Sequence, residues 1–388
     1  MSADAFFSRL TGDLDAFQAL VARKQDPAEV PHAASIERNV PVYHMAALRS
    51  RLDEPTARQA LQSEWAHVLL RQAGVVVLRR AYSDMAVIDR ATALFESIIE
   101  EESASAGGGG DHFAAAGANA RVWNALQKHA LRDPEGFALY HANPAIAAMC
   151  EAWLGPGYQM TAQVNLVRPG ARAQTAHRDY HLGFQSAGRA ARFPVHAHHL
   201  TAALTLQGAV AHCDMELESG PTRLLPFTQL YEPGYLAFHD EEHRAVFEER
   251  CVQVPLAKGD AVFFNPALFH AAGENRTGDV QRMANLLQVS SAFGRAMEAI
   301  DRDAMVRAVG PALARLKRSG DLAQAEVDAV VAATAEGYSF PTNLDTDPPT
   351  GDNAPQTQAD VMRGALDEGW SGEEADRRLR EHAARRTP

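Results

Sequence analysis

The stretch NLVRPGARAQTAHRDYHLGF, Asn165 to Phe184, lies near the middle of a 388-residue chain. It opens as a β-type run, turns at Pro169-Gly170 and carries a His-Arg-Asp triplet at 177–179. In extended backbone, residues two apart share a face, so the His177 imidazole and the Asp179 carboxylate can reach one point. That point is a metal ion, or the two groups are a hydrogen-bonded pair on a wet loop; the triplet alone does not separate these readings. The surrounding texture sets the fold. From about 158 to 293, short β-rich runs alternate with turns: QMTAQVNLVRPG, HLTAALTLQGAV, RCVQVPL, DAVFFN and RMANLLQVSSAF. Many short strands without regular helices between them describe an antiparallel sandwich or barrel, a mainly β core.

Helical patterns flank this core. Residues 1–60 read as a polar, helical N-terminal extension, and 294–388 as a helical C-terminal extension, leaving 61–293 as the β-centred domain with helical support. Within the domain, Gly74 to Leu78 is a short apolar strand, and DMAVIDRATALFESIIEEE is a helix capped by Asp84. Four glycines at 107–110 break any regular structure and read as a flexible connector. ARVWNALQKHAL and NPAIAAMCEAWLG read as helices, the second ending at Gly155. After a Pro-rich linker, FPTNLDTDPPTGDNAP, the residues from 358 onward read as one last amphipathic helix.

Composition narrows the function. A net charge of −12, from 37 Lys+Arg against 49 Asp+Glu, argues against nucleic acid or an anionic membrane as partner. The opening residues lack a basic, then apolar, leader pattern, and there is no run of about 18 apolar residues to span a bilayer. Cys150, Cys213 and Cys251 are sparse and odd in number, which suggests reduced thiols. A soluble cytoplasmic protein acting on a small molecule is the expectation, and the helical tail could support a homodimer.

A non-haem iron site needs two imidazoles and one carboxylate on one face, with adjacent positions left open. His177 and Asp179 supply two ligands. The best second histidine is His270, in KGDAVFFNPALFHAAGENRTG, where a turn and the strand AVFF lead into the next β-type stretch. Twelve residues further on, Arg282 opens RMANLLQVS and could hold a dicarboxylate through paired, charge-assisted bonds. Arg276 competes for that task but sits in a Gly-flanked turn facing solvent.

Taken together, the stretch from about 70 to 293 resembles the phytanoyl-CoA dioxygenase family of iron(II)- and 2-oxoglutarate-dependent oxygenases. The likeness rests on GVVVLRR before a helix, NPAIAAMCEAWLGPGYQM, NLVRPGARAQTAHRD, ESGPTRLLPFTQ, and KGDAVFFNPALFHAAGENRTG with a following arginine, in that order. The resemblance implies a double-stranded β-helix, or jelly roll, flanked by helices. It assigns iron(II) to His177, Asp179 and His270. It assigns the far carboxylate of 2-oxoglutarate to Arg282, with Thr222, Gln174, Gln163 and Asn165 as further candidates for that pocket. It implies dioxygen as co-substrate and hydroxylation of an unactivated C–H bond, with release of succinate and CO2. Halogenating relatives lack the carboxylate ligand, so Asp179 points to hydroxylation. One departure stands out: where the family often has Pro-Gly-Ser-His, this chain has PFTQ, Pro226 to Gln229.

Three other features carry expectations. In HAHHL, alternation would put His196 and His198 on one face of a polar strand entry, without the partners that zinc needs. Arg172, Arg178, Arg189, Arg192 and Arg223 concentrate positive charge near the expected mouth and suggest an anionic substrate. Two other functions fit the same ligands: a jelly-roll enzyme using a non-redox divalent metal, and a binding protein without catalysis.

Overall fold

Residues 5–8, 12–104, 119–349, 351 and 354–387 are described by the structure, a computed structural model; the glycine run at 107–110 lies outside them. Ten strands occur among these residues: β1 (Ser35–Glu37), β2 (Val40–His44), β3 (Val75–Arg79), β4 (Asn119–Val122), β5 (Gln159–Val167), β6 (Thr205–Ala211), β7 (Arg223–Leu225), β8 (Ala261–Phe264), β9 (Phe269–Ala271) and β10 (Arg282–Ser290). Eight form one sheet in the order β1-β2-β3-β8-β6-β10-β5-β4, antiparallel throughout except where β2 runs parallel to β3. A second, smaller sheet pairs β7 with β9. Backbone bridges widen it, joining His177 to His270, Leu224 to Val252 and Met215 to Leu256.

Followed along the chain, the path passes repeatedly between the sheets. β5, β6, β8 and β10 lie in the large one; the segment around His177, β7, the segment around Val252 and β9 lie in the small one. This winding is a double-stranded β-helix, so the fold class expected from the sequence stands.

The long strands alternate: Gln163 and Asn165 of β5 and Arg282 and Gln288 of β10 face the cavity, while the residues alternating with them turn to the core. Met160, Ala162, Val164 and Leu166 of β5 and Met283, Leu287 and Val289 of β10 pack with Trp65, Met149, Val309 and Val330 from the flanking helices. Each large side chain buried there contributes about 1.5–3 kcal/mol. Behind the small sheet, Phe17 of helix Leu14–Val21 packs with Phe247 and Phe269, its ring 5.1 Å from that of Phe269.

Several local expectations are corrected. Residues 1–60 carry helices but also β1 and β2, which extend the large sheet. ARVW begins with strand β4, paired to the edge of β5, before helix Ala125–Arg132 starts. HAHHL is not strand: it lies in helix Val195–Ala203, where residues two apart project about 200° apart and share no face. RCVQVPL contributes two isolated bridges, not a strand. The final stretch is two helices, Gln358–Asp367 and Gly372–Arg386, because Trp370 between them turns to stack against Gly310. No helix among the described residues is long and apolar enough to cross a membrane.

Three imidazoles are buried beneath the large sheet. His212 bonds Thr92 Oγ1 at 2.8 Å and the Tyr140 hydroxyl at 2.9 Å, while His129 packs edge-on to Phe95 and Phe137. Burial pushes His129 down to about 4 and His212 down to about 3, and holds His141 well below 6.5. A base lowered in this way stabilises the fold fully above its unfolded value, and loses that contribution as pH falls towards the folded value. Unfolding free energy should therefore be flat above about pH 6.5 and fall between pH 6.5 and 4, with His129 alone accounting for about 3 kcal/mol. Urea titrations across that range check this; His129→Phe should flatten part of the slope.

Candidate active site

The site is built on one antiparallel ladder. Gln174 N–H donates to Ala272 O, His177 N–H to His270 O at 3.0 Å, and His270 N–H to His177 O at 3.1 Å. Residues that exchange both backbone bonds stand directly opposite, with side chains on the same face. The two rings, 93 residues apart in sequence, lie 4.5 Å apart by centroid. Asp179, two residues after His177, keeps to that face and its N–H donates to Pro266 O.

Each imidazole is oriented by its own strand. His177 Nδ1 meets Thr175 O at 2.8 Å and His270 Nδ1 meets Leu268 O at 2.9 Å. A carbonyl only accepts, so Nδ1 carries the proton in both rings and the Nε2 lone pairs point at the common centre. There, Asp179 Oδ1 lies 3.7 Å from His177 Nε2 and Oδ2 lies 3.4 Å from His270 Nε2, and ligand-capable atoms of all three residues fall within 4.8 Å. Burial lowers the His177 pKa and favours its neutral form. Burial opposes ionisation of Asp179, but the two imidazoles and a Gln207 hydrogen bond outweigh it and hold the carboxyl far below its usual range. Two imidazoles and one carboxylate, open on the cavity side, fit a facial iron(II) site.

Gln207 was not selected from the sequence. Its Nε2 donates to Asp179 Oδ2 at 2.5 Å, fixing the carboxylate's orientation. The available signal was a lone amide in the otherwise apolar run TLQGAVA. The middle residue of the triplet, Arg178, has a different task. Its Nη2 donates to Thr228 O and Tyr231 O, and its guanidinium lies 5.0 Å from the Tyr235 ring and 5.3 Å from that of Phe269. It fits because residue 234 is glycine: a Cβ there would sit 2.0 Å from the guanidinium carbon.

Beside the triad opens a cavity of about 730 Å³, lined by all eight residues chosen from the sequence: His177, Asp179, His270, Arg282, Thr222, Gln174, Gln163 and Asn165. Arg282 is 6% exposed, and its Nη1 donates to Ser219 O at 3.0 Å and Gly273 O at 3.4 Å. No carboxylate among the described residues pairs with it. Burial pushes it down to about 10, so it stays charged at neutral pH. The acceptor Ser219 is held by the Gly220-Pro221 turn, where φ is +73° and a Cβ would lie 2.2 Å from Glu274 O. Gln174 Oε1 accepts from Ala272 N–H, and Gln163 Oε1 accepts from Arg121 Nη1. Arg276 is exposed and lies outside the cavity.

Positive charge from Arg172, Arg178, Arg189, Arg192 and Arg223 was expected near the mouth. Of the five arginines, only Arg178 lines the cavity, and its Nη2 is engaged by two carbonyls. Arg223 pairs with Glu248 at 2.5 Å. Residues not chosen from the sequence line the cavity instead: Arg121, Trp123, Phe184, Met297 and Glu298. They come from loops and an edge strand, with no motif or period to mark them.

The fold and site define a jelly-roll protein with a two-histidine, one-carboxylate centre and a buried cation beside it. The profile of the family described as Phytanoyl-CoA dioxygenase (PhyH) matches residues 70–284, more than half the chain, and the chain belongs to this family. The dioxygenase trt7 of Aspergillus terreus is 32% identical over 144 residues, which are 37% of this chain and 44% of that protein. The dioxygenase andF of Emericella variicolor is 28% identical over 144 residues, 36% of this chain and 45% of that protein. The chain thus spans less than half the length of these curated relatives. Among solved structures, the non-heme alpha ketoglutarate dependent carbocyclase SnoK aligns at 22% identity and TM-score 0.43, covering 58% of this chain and 83% of that one. The epimerase SnoN aligns at 18% identity and TM-score 0.41, covering 62% and 84%.

Removing the Gln207 donor should loosen the metal-binding carboxylate. Gln207→Leu is expected to weaken iron(II) affinity by about 10- to 100-fold, measured by anaerobic competition with a chelator.

Proposed function

We propose that this protein is an iron(II)- and 2-oxoglutarate-dependent oxygenase that hydroxylates a C–H bond of a small molecule. One observation carries the reading: a buried guanidinium without a carboxylate partner shares a cavity with a convergent His177–Asp179–His270 triad. A fixed cation in a dry site is costly unless an anion meets it. The far carboxylate of 2-oxoglutarate would be that anion. A non-redox metal enzyme gives Arg282 nothing to hold.

Bound iron and 2-oxoglutarate supply the oxidising power, and the overall reaction is RH + O2 + 2-oxoglutarate → ROH + succinate + CO2. The protein's own residues do the placing. His177 and His270 present Nε2, held by the carbonyls of Thr175 and Leu268. Gln207 fixes Asp179. Arg282 sets the direction in which the keto acid lies. Phe264, Leu286 and Met297 line the cavity with apolar surface and exclude water from the reacting centre.

Anaerobic iron(II) protein mixed with 2-oxoglutarate should show a weak visible metal-to-ligand charge-transfer band, and in air it should release succinate. His177→Ala and Asp179→Ala should lose both. Arg282→Ala should keep the triad but weaken 2-oxoglutarate binding about 100-fold, a loss of roughly 3 kcal/mol, with partial recovery in Arg282→Lys. A wild-type protein with no band, or one equally active with zinc in place of iron, would sink the proposal.

A further inference from the structure

Alternation along β10 lays down the floor of the cavity. Arg282, Ala284, Leu286 and Gln288 all line it, a cation at one end of the row, two apolar residues between, and a carboxamide at the other end. Six residues of extended strand span about 20 Å, so Gln288 stands far along the floor from Arg282. Across the β6 ladder its partner in register is Gln207, the residue whose Nε2 holds Asp179. Side chains directly opposite lie about 5 Å apart at Cβ, which puts the Gln288 amide next to the support of the metal-binding carboxylate. Gln207 is engaged by Asp179; Gln288 has no such partner. Its side chain is 6% exposed and forms no hydrogen bond among the described residues, where only its backbone carbonyl is used, by Thr161 Oγ1. Its Oε1 is enclosed by protein, which leaves Nε2 as the atom that meets the cavity. A molecule filling this end must accept from that N–H group or leave it unpaired in a dry site, which weakens binding. The ionised groups elsewhere on the wall are already engaged: Arg178 donates to two carbonyls, Arg121 to Gln163, and Glu298 accepts from Asn124 N–H.

We propose that Gln288 is a substrate-positioning residue, and that the substrate is an uncharged, largely apolar molecule whose carbonyl oxygen accepts from Gln288 Nε2. This rests on the oxygenase reading and adds the substrate class to it. A carbonyl only accepts, so it suits an amide that presents its N–H groups and encloses its oxygen. A carboxylate accepts as well, but here it would enter an apolar lining of Phe184, Phe264, Leu286 and Met297, with Arg282 at the far end of the floor. It would lose its water without meeting a counter-charge. The apolar body of the substrate lies on the same four residues. Because Gln288 and Gln207 are ladder partners, the anchored oxygen sits at a fixed offset from Asp179, and the C–H bond attacked lies a few bonds from the carbonyl.

The test compares decalin, its ketone decalone and decalin carboxylate as probes. Binding to the full-length iron(II)·2-oxoglutarate protein is read by tryptophan fluorescence and by perturbation of the charge-transfer band. Decalone should bind at least about 5-fold more tightly than decalin and at least about 10-fold more tightly than the carboxylate. Gln288→Met, close in shape but without the donor, should bind ketone and hydrocarbon equally, by weakening the ketone alone; a purely structural role would weaken both. Gln288→Glu, which sets a carboxylate against the carbonyl, should lose the ketone at least as far. Affinity for 2-oxoglutarate should stay within about 2-fold in either variant. Thermal midpoints near wild type certify that the variants fold, and the wild-type ranking stands as a test without them. Decalin binding as tightly as decalone, no binding by any probe, or a folded Gln288→Met that keeps the ketone preference would each overturn the assignment. So would a loss of 2-oxoglutarate affinity as large as that of the ketone, since the amide would then serve the co-substrate. An absent charge-transfer band with the fluorescence ranking intact would overturn the oxygenase reading and leave the role of Gln288 standing.

Discussion

Two backbone hydrogen bonds, exchanged between His177 and His270, are the constraint on which the site depends. They bring together segments far apart in the chain and fix the relative height, direction and face of both imidazoles at once. The pairing is as strict as the pleat: slipping it by one residue would send one ring to the opposite face. Asp179 needs no tertiary device of its own, since it follows His177 by two residues on the same extended segment. The side chains then need only local carbonyls, at Thr175 and Leu268, to aim their nitrogens.

Around this rigid centre the cavity is a collection of polar groups short of partners. Arg282 is a cation held by two carbonyls, with no carboxylate among the described residues to pair with it. A fold under no demand but stability would cover such groups with apolar surface or pair them with each other. Here Arg282 is left without a counter-charge on the cavity wall, so it remains available to an anionic ligand. The reciprocal histidine bridge, the Gly220 turn and the Gln207 amide all act in the same direction, holding groups in place before anything binds.

The metal-ligand candidates were legible because they sit on regular strands, where spacing in sequence is spacing in space. His177 and Asp179 obey the two-residue repeat, and Arg282 opens the strand that follows the His270 turn. The apolar runs likewise announced β8 and β10. Legibility failed where the outcome depends on neighbours. β1, β2 and β4 are three to five residues long and become strands by pairing with neighbours distant from them or shorter than a sequence pattern can mark. HAHHL folds as helix because its surroundings, not its alternation, decide. Trp123, Phe184, Met297 and Glu298 reach the cavity from connections, where no period links position to direction. Of the arginines clustered in sequence only Arg178 lines the cavity, since proximity in sequence does not fix where a guanidinium turns.

The ring of Phe17, wedged behind Phe269, belongs to a helix outside the family match, as do the strands β1 and β2 at the sheet edge. The strand that carries His270 is therefore braced by residues that the shared sequence pattern does not cover. A fragment trimmed to 70–284 would keep every candidate ligand and lose the wall they lean on. The chemistry and the architecture that supports it have different borders in this chain, and the architectural border is the wider.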